Sequence, residues 1–136
     1  MTEKIKKILF AFLVLSAVLV NAQDRKLEKA DKSFERFEYV RAIHQYENLV
    51  ERGTVSPKIY RNLADANFLN ANYSEAEKWY RLLADTAPET LDTEATYRYA
   101  NSLRAVGHYQ ESDQWLEKVE HLERANHFLA SSMERI

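Results

Sequence analysis

Apolar positions recur along this chain at intervals of three and four residues. Tyr39, Ala42, Tyr46 and Leu49 form one such set, Tyr73, Ala76, Tyr80 and Leu83 a second, and Tyr109, Ser112, Leu116 and Val119 a third. A 3–4–3 spacing puts all four side chains of a set on one face of an α-helix, so each set predicts an amphipathic helix. Upstream of each lies a second helical segment: "DRKLEKADKSFERF", "PKIYRNLADANFLN" and "TEATYRYANSLRAV". Within these, Ala30, Ala64 and Ala100 stand 12 residues before Ala42, Ala76 and Ser112. The pattern therefore predicts three helix pairs, with Ala30, Ala42, Ala64, Ala76, Ala100 and Ser112 as the small residues that let paired backbones approach. The aromatics Tyr39, Tyr46, Tyr60, Tyr73, Trp79, Tyr80, Tyr99 and Trp115 are expected to fill the space between helices.

The breakers support the same division. Gly and Pro each occur twice, at Gly53, Gly107, Pro57 and Pro88. So few breakers, in a chain rich in Ala, Leu, Glu, Lys and Arg, predict an all-α fold. "ERGTVSPK" reads as a helix stop at Gly53, an N-cap at Ser56 and a helix start at Pro57, where the missing N–H costs nothing. Asn72-x-x-Glu75 has the spacing of a capping box, and His108-x-x-Glu111 occupies the corresponding place. The first two sets lie 34 residues apart and the last two 36, so two extra residues are expected near "APETLDT". The tail "HLERANHFLASSMERI" carries an apolar stripe: Leu122, Ala125, Phe128, Leu129, Met133 and Ile136. Two readings stay open for it, a separate capping helix or an extension of the preceding one.

The first 22 residues follow another pattern. Lys4, Lys6 and Lys7 precede the apolar run Ile8 to Val20, and "VNA" places Val20 and Ala22 at the small positions before a cleavage point. This order predicts a secretory signal peptide over 1–22. The 13-residue run falls short of the roughly 20 residues that span a bilayer. Cleavage would leave 136 − 22 = 114 residues, and loss of three Lys and one Glu would move the formal net charge from −2 to −4. An exported chain without lasting membrane insertion is expected. An acidic balance gives no basic footprint for nucleic acid. The absence of Cys removes disulfides and a thiol nucleophile from consideration.

The stretch "SPKIYRNLADANFLNANYSEAEKWYRLLADTAPE" resembles a tetratricopeptide repeat, a 34-residue helix–turn–helix unit, through Tyr60, Leu63, Ala64, Phe68, Tyr73, Ala76, Tyr80 and Pro88. The resemblance implies a right-handed solenoid of about three repeats (about 23–56, 57–92 and 93–122), with 123–136 as a helical tail or cap. Repeat one departs from the motif at Lys26 and Lys29. Repeat three departs at Ser112 and Leu116 and lacks the closing Pro. Together, "KADKSFERFEYVRAIHQYENLV", "YRNLADANFLNANYSEAEKWY" and "YRYANSLRAVGHYQESDQWLEKV" are similar to the N-terminal repeat domain of OmpA-family envelope proteins of Bacteroidetes. In that family a β-propeller and a peptidoglycan-binding domain usually follow; neither is expected within residues 1–136.

In tetratricopeptide repeats the first helix of each pair lines a concave groove. The resemblance thus implies a partner-binding face made of Asp31, Phe34, Arg61, Asn62, Asp65, Phe68, Tyr97, Arg98, Asn101 and Arg104. Arg61, Arg98 and Arg104 are expected to converge there and attract an acidic or C-terminal segment. Of the five residues with which some repeat domains clamp a carboxylate, only Asn62 and Arg98 are present. No residues stand out as catalytic, cofactor-binding or metal-binding. None of the four His pairs with another at helical ligand spacing, and no Gly-rich phosphate loop or nucleophile motif is seen. The function implied is an exported adaptor or scaffold of the bacterial cell envelope that binds a partner peptide or protein, free in the periplasm or held at the outer membrane by its partners. The alternative is a non-binding spacer, or the truncated front of an OmpA-family protein.

Overall fold

The computed structural model describes residues 2–133, with side chains described as far as His127. Among these residues the chain is all-helical: α1 (Thr2–Glu35), α2 (Tyr39–Glu51), α3 (Pro57–Leu69), α4 (Tyr73–Thr86), α5 (Thr93–Ala105) and α6 (Tyr109–Met133), with a short 3-10 turn at Pro88–Thr90. The chain divides into two compact units, Met1–Thr54 and Val55–Ile136.

The first unit pairs α1 with α2. Ala30, Ala42, Tyr46 and Leu49 are buried. The Tyr46 hydroxyl donates to the Asp31 carboxylate. The apolar leader is the front of α1, which runs unbroken through residue 22. An 18-residue window in it has a mean hydropathy of 2.0 and is wholly exposed. By length and composition this helix could cross a membrane, and it is equally compatible with a signal sequence.

The second unit pairs α3 with α4 and α5 with α6, and α4 packs on α5. Its core is Ala64, Ala76, Tyr80, Ala95, Tyr99 and Leu103, with Phe68, Trp79, Leu91 and Trp115 packed around it. The Tyr80 and Tyr99 rings lie 5.9 Å apart. Each such ring taken from water contributes roughly 1.5–3 kcal/mol. All six of the small residues named from spacing are fully buried. Ser112 is accommodated where Ala stands in the other pairs because its hydroxyl donates to the Ala100 carbonyl at 2.8 Å.

The turn inside each pair repeats in atomic detail. Phe37, Ala71 and Gly107 all have positive φ, at 61°, 60° and 89°. Their N–H groups bond the carbonyls of Phe34, Phe68 and Arg104. The next N–H groups, of Glu38, Asn72 and His108, reach back to Ser33, Asn67 and Leu103. This is the Schellman ending of a helix. Gly53 ends α2 in the same way, through Val50 and Leu49.

Local expectations were met unevenly. Ser56 caps α3 by accepting from the Ile59 N–H, with Pro57 at the first helical position. Asn72 stands at the N-cap of α4, but its side chain makes no cap bond; its amide points toward Asn67 at 3.5 Å. Glu111 is drawn to Arg81 instead of back to a cap. The two residues of extra length fall at the 3-10 turn. The tail adds no separate capping helix over 123–133, because α6 continues without a break. Of the expected stripe, Leu122 and Ala125 are exposed; the side chains of Phe128, Leu129 and Met133, and all of Ile136, lie outside the described residues.

Candidate functional site

The face on which α3 meets α5 carries most of the residues implied as a groove. Its centre is Asp65, which is buried. One carboxylate oxygen accepts from the Tyr80 hydroxyl and lies 3.3 Å from Arg98 Nη1. The other accepts from Arg61 Nε at 2.7 Å. Helical spacing explains the Arg61–Asp65 pair, since residues four apart share a face. The Arg98 bond joins α5 to α3. Asp65 is therefore an anchor between helices and not an open-face group.

Both arginines are engaged a second time. Arg61 Nη1 lies 3.3 Å from Asp92, the N-cap of α5, whose Oδ1 also accepts from the Ala95 N–H at 2.8 Å. Arg98 bonds Glu94 and stands over the Phe68 ring, 5.7 Å from its centroid. Phe68 in turn meets Tyr73 edge to face at 5.5 Å. The electrostatics follow from this crowding. Partial burial pulls the Arg61 pKa down, but the Asp65 carboxylate outweighs it and the net shift is upward. Burial pushes Asp92 up, yet the Ala95 N–H and Arg61 hold it below the ordinary carboxylate range. Burial, reinforced by the Asp65 charge, keeps the Tyr80 phenol protonated far past its ordinary range.

Arg104 does not join the other two arginines. It is half-exposed and pairs with Asp113 of α6 at 2.9 Å. Tyr97 projects into solvent, 52% exposed. Asn101 donates to the carbonyl of Tyr97 in its own helix, and Asn62 is half-buried on α3. Phe34 belongs to the first unit, where its ring lies 5.8 Å from that of Tyr39.

A second ionic cluster had only a partial local signal in the sequence, the four-residue spacing of Glu77 and Arg81. Arg81 on α4 forms a bidentate pair with Glu111 on α6, both bonds at 2.9 Å, and also bonds the buried Glu77. Its hydrogen bonds to Glu111 raise the Arg81 pKa, and the same bonds hold Glu111 below the usual carboxylate range. Thirty residues separate the partners, and only the packing of α4, α5 and α6 brings them together.

In these clusters the carboxylates are met by guanidinium groups, Tyr80 and Tyr99 are held protonated, and among the described residues no three of His, Asp or Glu are placed to hold a metal ion. What the α3–α5 face offers is a polar surface with aromatic groups at Phe68 and Tyr97, and Tyr73 of α4 lies against Phe68. No protein-family model matches the chain, and no curated protein matches it.

Proposed function

We propose that the chain is an exported interaction module of the tetratricopeptide kind, a right-handed solenoid serving as adaptor or scaffold in the bacterial cell envelope. Its first helices would form a concave groove that holds a partner peptide or protein. One observation carries this reading: a repeated frame bears a varied face. The Schellman turns at Phe37, Ala71 and Gly107 and the buried small residues recur. The residues beside them that are not buried do vary: Leu27, Arg61 and Tyr97 differ at one place, and Glu28, Asn62 and Arg98 at the next. A frame that repeats while its surface varies suits recognition of an irregular partner better than it suits a reaction.

The internal charge pairing favours a second reading. Arg61 and Arg98 are balanced by Asp65, Asp92 and Glu94, so the face is not a basic patch. A non-binding spacer, or the front part of an OmpA-family peptidoglycan-associated protein, would need those arginines for stability alone. The test therefore leaves Arg61 and Arg98 in place and changes Tyr97→Ala with Arg104→Ala, both exposed. Pull-down from envelope extract should recover fewer partners with the double variant. The same partners in the same amounts would remove the groove as binding surface and leave the spacer.

A further inference from the structure

The two tryptophans stand at corresponding places 36 residues apart, Trp79 on α4 and Trp115 on α6. In the first of these pairs α3 supplies Tyr60, whose ring stacks on Trp79 at 5.9 Å with an interplanar angle of 26°. The N-caps Ser56 and Asp92 fix the register, and 36 residues after Tyr60 comes Thr96. Thr96 has no ring, and its hydroxyl turns back to the Asp92 carbonyl at 2.8 Å. A cleft of about 360 Å³ lies there, lined by Pro88, Leu91, Thr96, Trp115, Lys118 and His121, with Leu122 at its edge. The 3-10 turn made by the two extra residues supplies the Pro88 and Leu91 wall. One side of Trp115 is taken by Tyr99 at 4.9 Å. The Lys118 ammonium lies over the indole, 3.7 Å from its centroid.

We propose that this cleft is a recognition pocket for the C-terminal aromatic residue of a partner polypeptide. The preceding pair shows the kind of group that fits, because Tyr60 occupies the equivalent place against Trp79. An incoming ring would gain the stacking and apolar burial that Thr96 cannot supply. The Lys118 ammonium, displaced from over the indole, would take the terminal carboxylate, with His121 beside it. The pocket uses none of the α3–α5 face residues, so it stands independently of the groove.

Fluorine NMR of the full chain in dodecylmaltoside micelles, labelled with 5-fluorotryptophan, gives one signal for each tryptophan, assigned by Trp79→Phe. The probe is acetyl-Ser-Gly-Phe with a free carboxylate; its C-terminal amide and acetyl-Ser-Gly-Ala are the comparators. The Trp115 signal should shift saturably with the Phe peptide while that of Trp79 stays fixed. Affinity should fall at least fivefold for the amide and for Lys118→Glu, and rising salt should weaken it. Thr96→Phe, which restores a resident ring, should abolish the response. No saturable shift, equal shifts at both tryptophans, or an equal response to the Ala peptide would overturn the pocket. Should Thr96→Phe fail to fold, Lys118→Glu decides: unchanged affinity for the free carboxylate refutes the assignment.

Discussion

Replacing Asp65 by Ala tests whether the α3–α5 face is an internal brace. The change strands the Tyr80 hydroxyl, which is fully buried and donates to that carboxylate. An unsatisfied buried hydroxyl costs about 1–3 kcal/mol. Arg61 and Arg98 lose one partner each but keep Asp92 and Glu94, and their side chains are about a fifth exposed. The arginines are mostly buried but each keeps a second acid, so each lost charge-assisted bond costs about 1–2 kcal/mol. The total is about 3–7 kcal/mol, and at this chain length a kilocalorie shifts Tm by roughly 3–5 °C, so a fall of roughly 10 °C or more is expected. Thermal unfolding followed by circular dichroism at 222 nm measures it.

The third pair supplies an internal control. There the acceptor position is Asn101, bonded within its own helix, and the tyrosine position is Leu116. Asn101→Ala should therefore cost under about 0.5 kcal/mol, the usual range for a surface change. A cycle of Tyr80→Phe, Asp65→Ala and the double variant should show coupling of about 1 kcal/mol or more. Equal effects of Asp65→Ala and Asn101→Ala, or zero coupling, would refute the brace.

Three further outcomes are expected. Arg81 holds the folded-state pKa of Glu111 below its ordinary value; this stability is present above the unfolded pKa, near 4.3, and is lost as pH falls through the folded value. Urea midpoints from pH 7 to pH 3 should fall less steeply in Glu111→Gln, and identical pH slopes would sink the pairing. Ala71→Gly should stabilise the chain by about 0.5–1 kcal/mol by relieving a left-handed non-glycine residue, whereas Gly107→Ala should destabilise it by a similar amount; shifts of the same sign would contradict the turn geometry. Ala76→Leu, at a fully buried helix contact, should cost roughly 1–3 kcal/mol from overpacking, and an unchanged Tm would mean that the helix pair does not close on Ala76.

Helix existence was legible because burial follows periodicity. Tyr80 and Leu83 are buried because a 3–4–3 spacing can present only one face to the core. The small residues were legible for the same reason, since each sits where a larger side chain would hold the helices apart. The turns were half-legible. Gly53 and Gly107 announce a left-handed residue. Phe37 and Ala71 adopt the same conformation without any local preference for it, because the helix pairing on either side imposes the turn. The leader's thirteen apolar residues in a row read as a signal sequence, and the 18-residue window of high hydropathy that contains them is compatible with that reading, since a signal sequence and a spanning helix share this property.

The candidate face was legible as a list of residues and illegible as a charge distribution. Place in a helix predicts which way a side chain leaves the backbone; it does not predict what meets it. Arg61, Arg98 and Arg104 point outward by spacing, and a net negative chain made them look like a local contrast of sign. The structure gives each of them an acid: Asp65 and Asp92 for Arg61, Asp65 and Glu94 for Arg98, Asp113 for Arg104. Only the four-residue pairs Arg61–Asp65 and Glu94–Arg98 could be read from spacing. The others cross from helix to helix, and with them the face changes from a lure for acidic segments into a neutral surface. What remains on it to contact a partner is aromatic, chiefly Tyr97. Recognition on this face should therefore be far less sensitive to salt than binding at the Lys118 cleft. Measuring the two salt dependences side by side separates the surfaces even where one partner touches both.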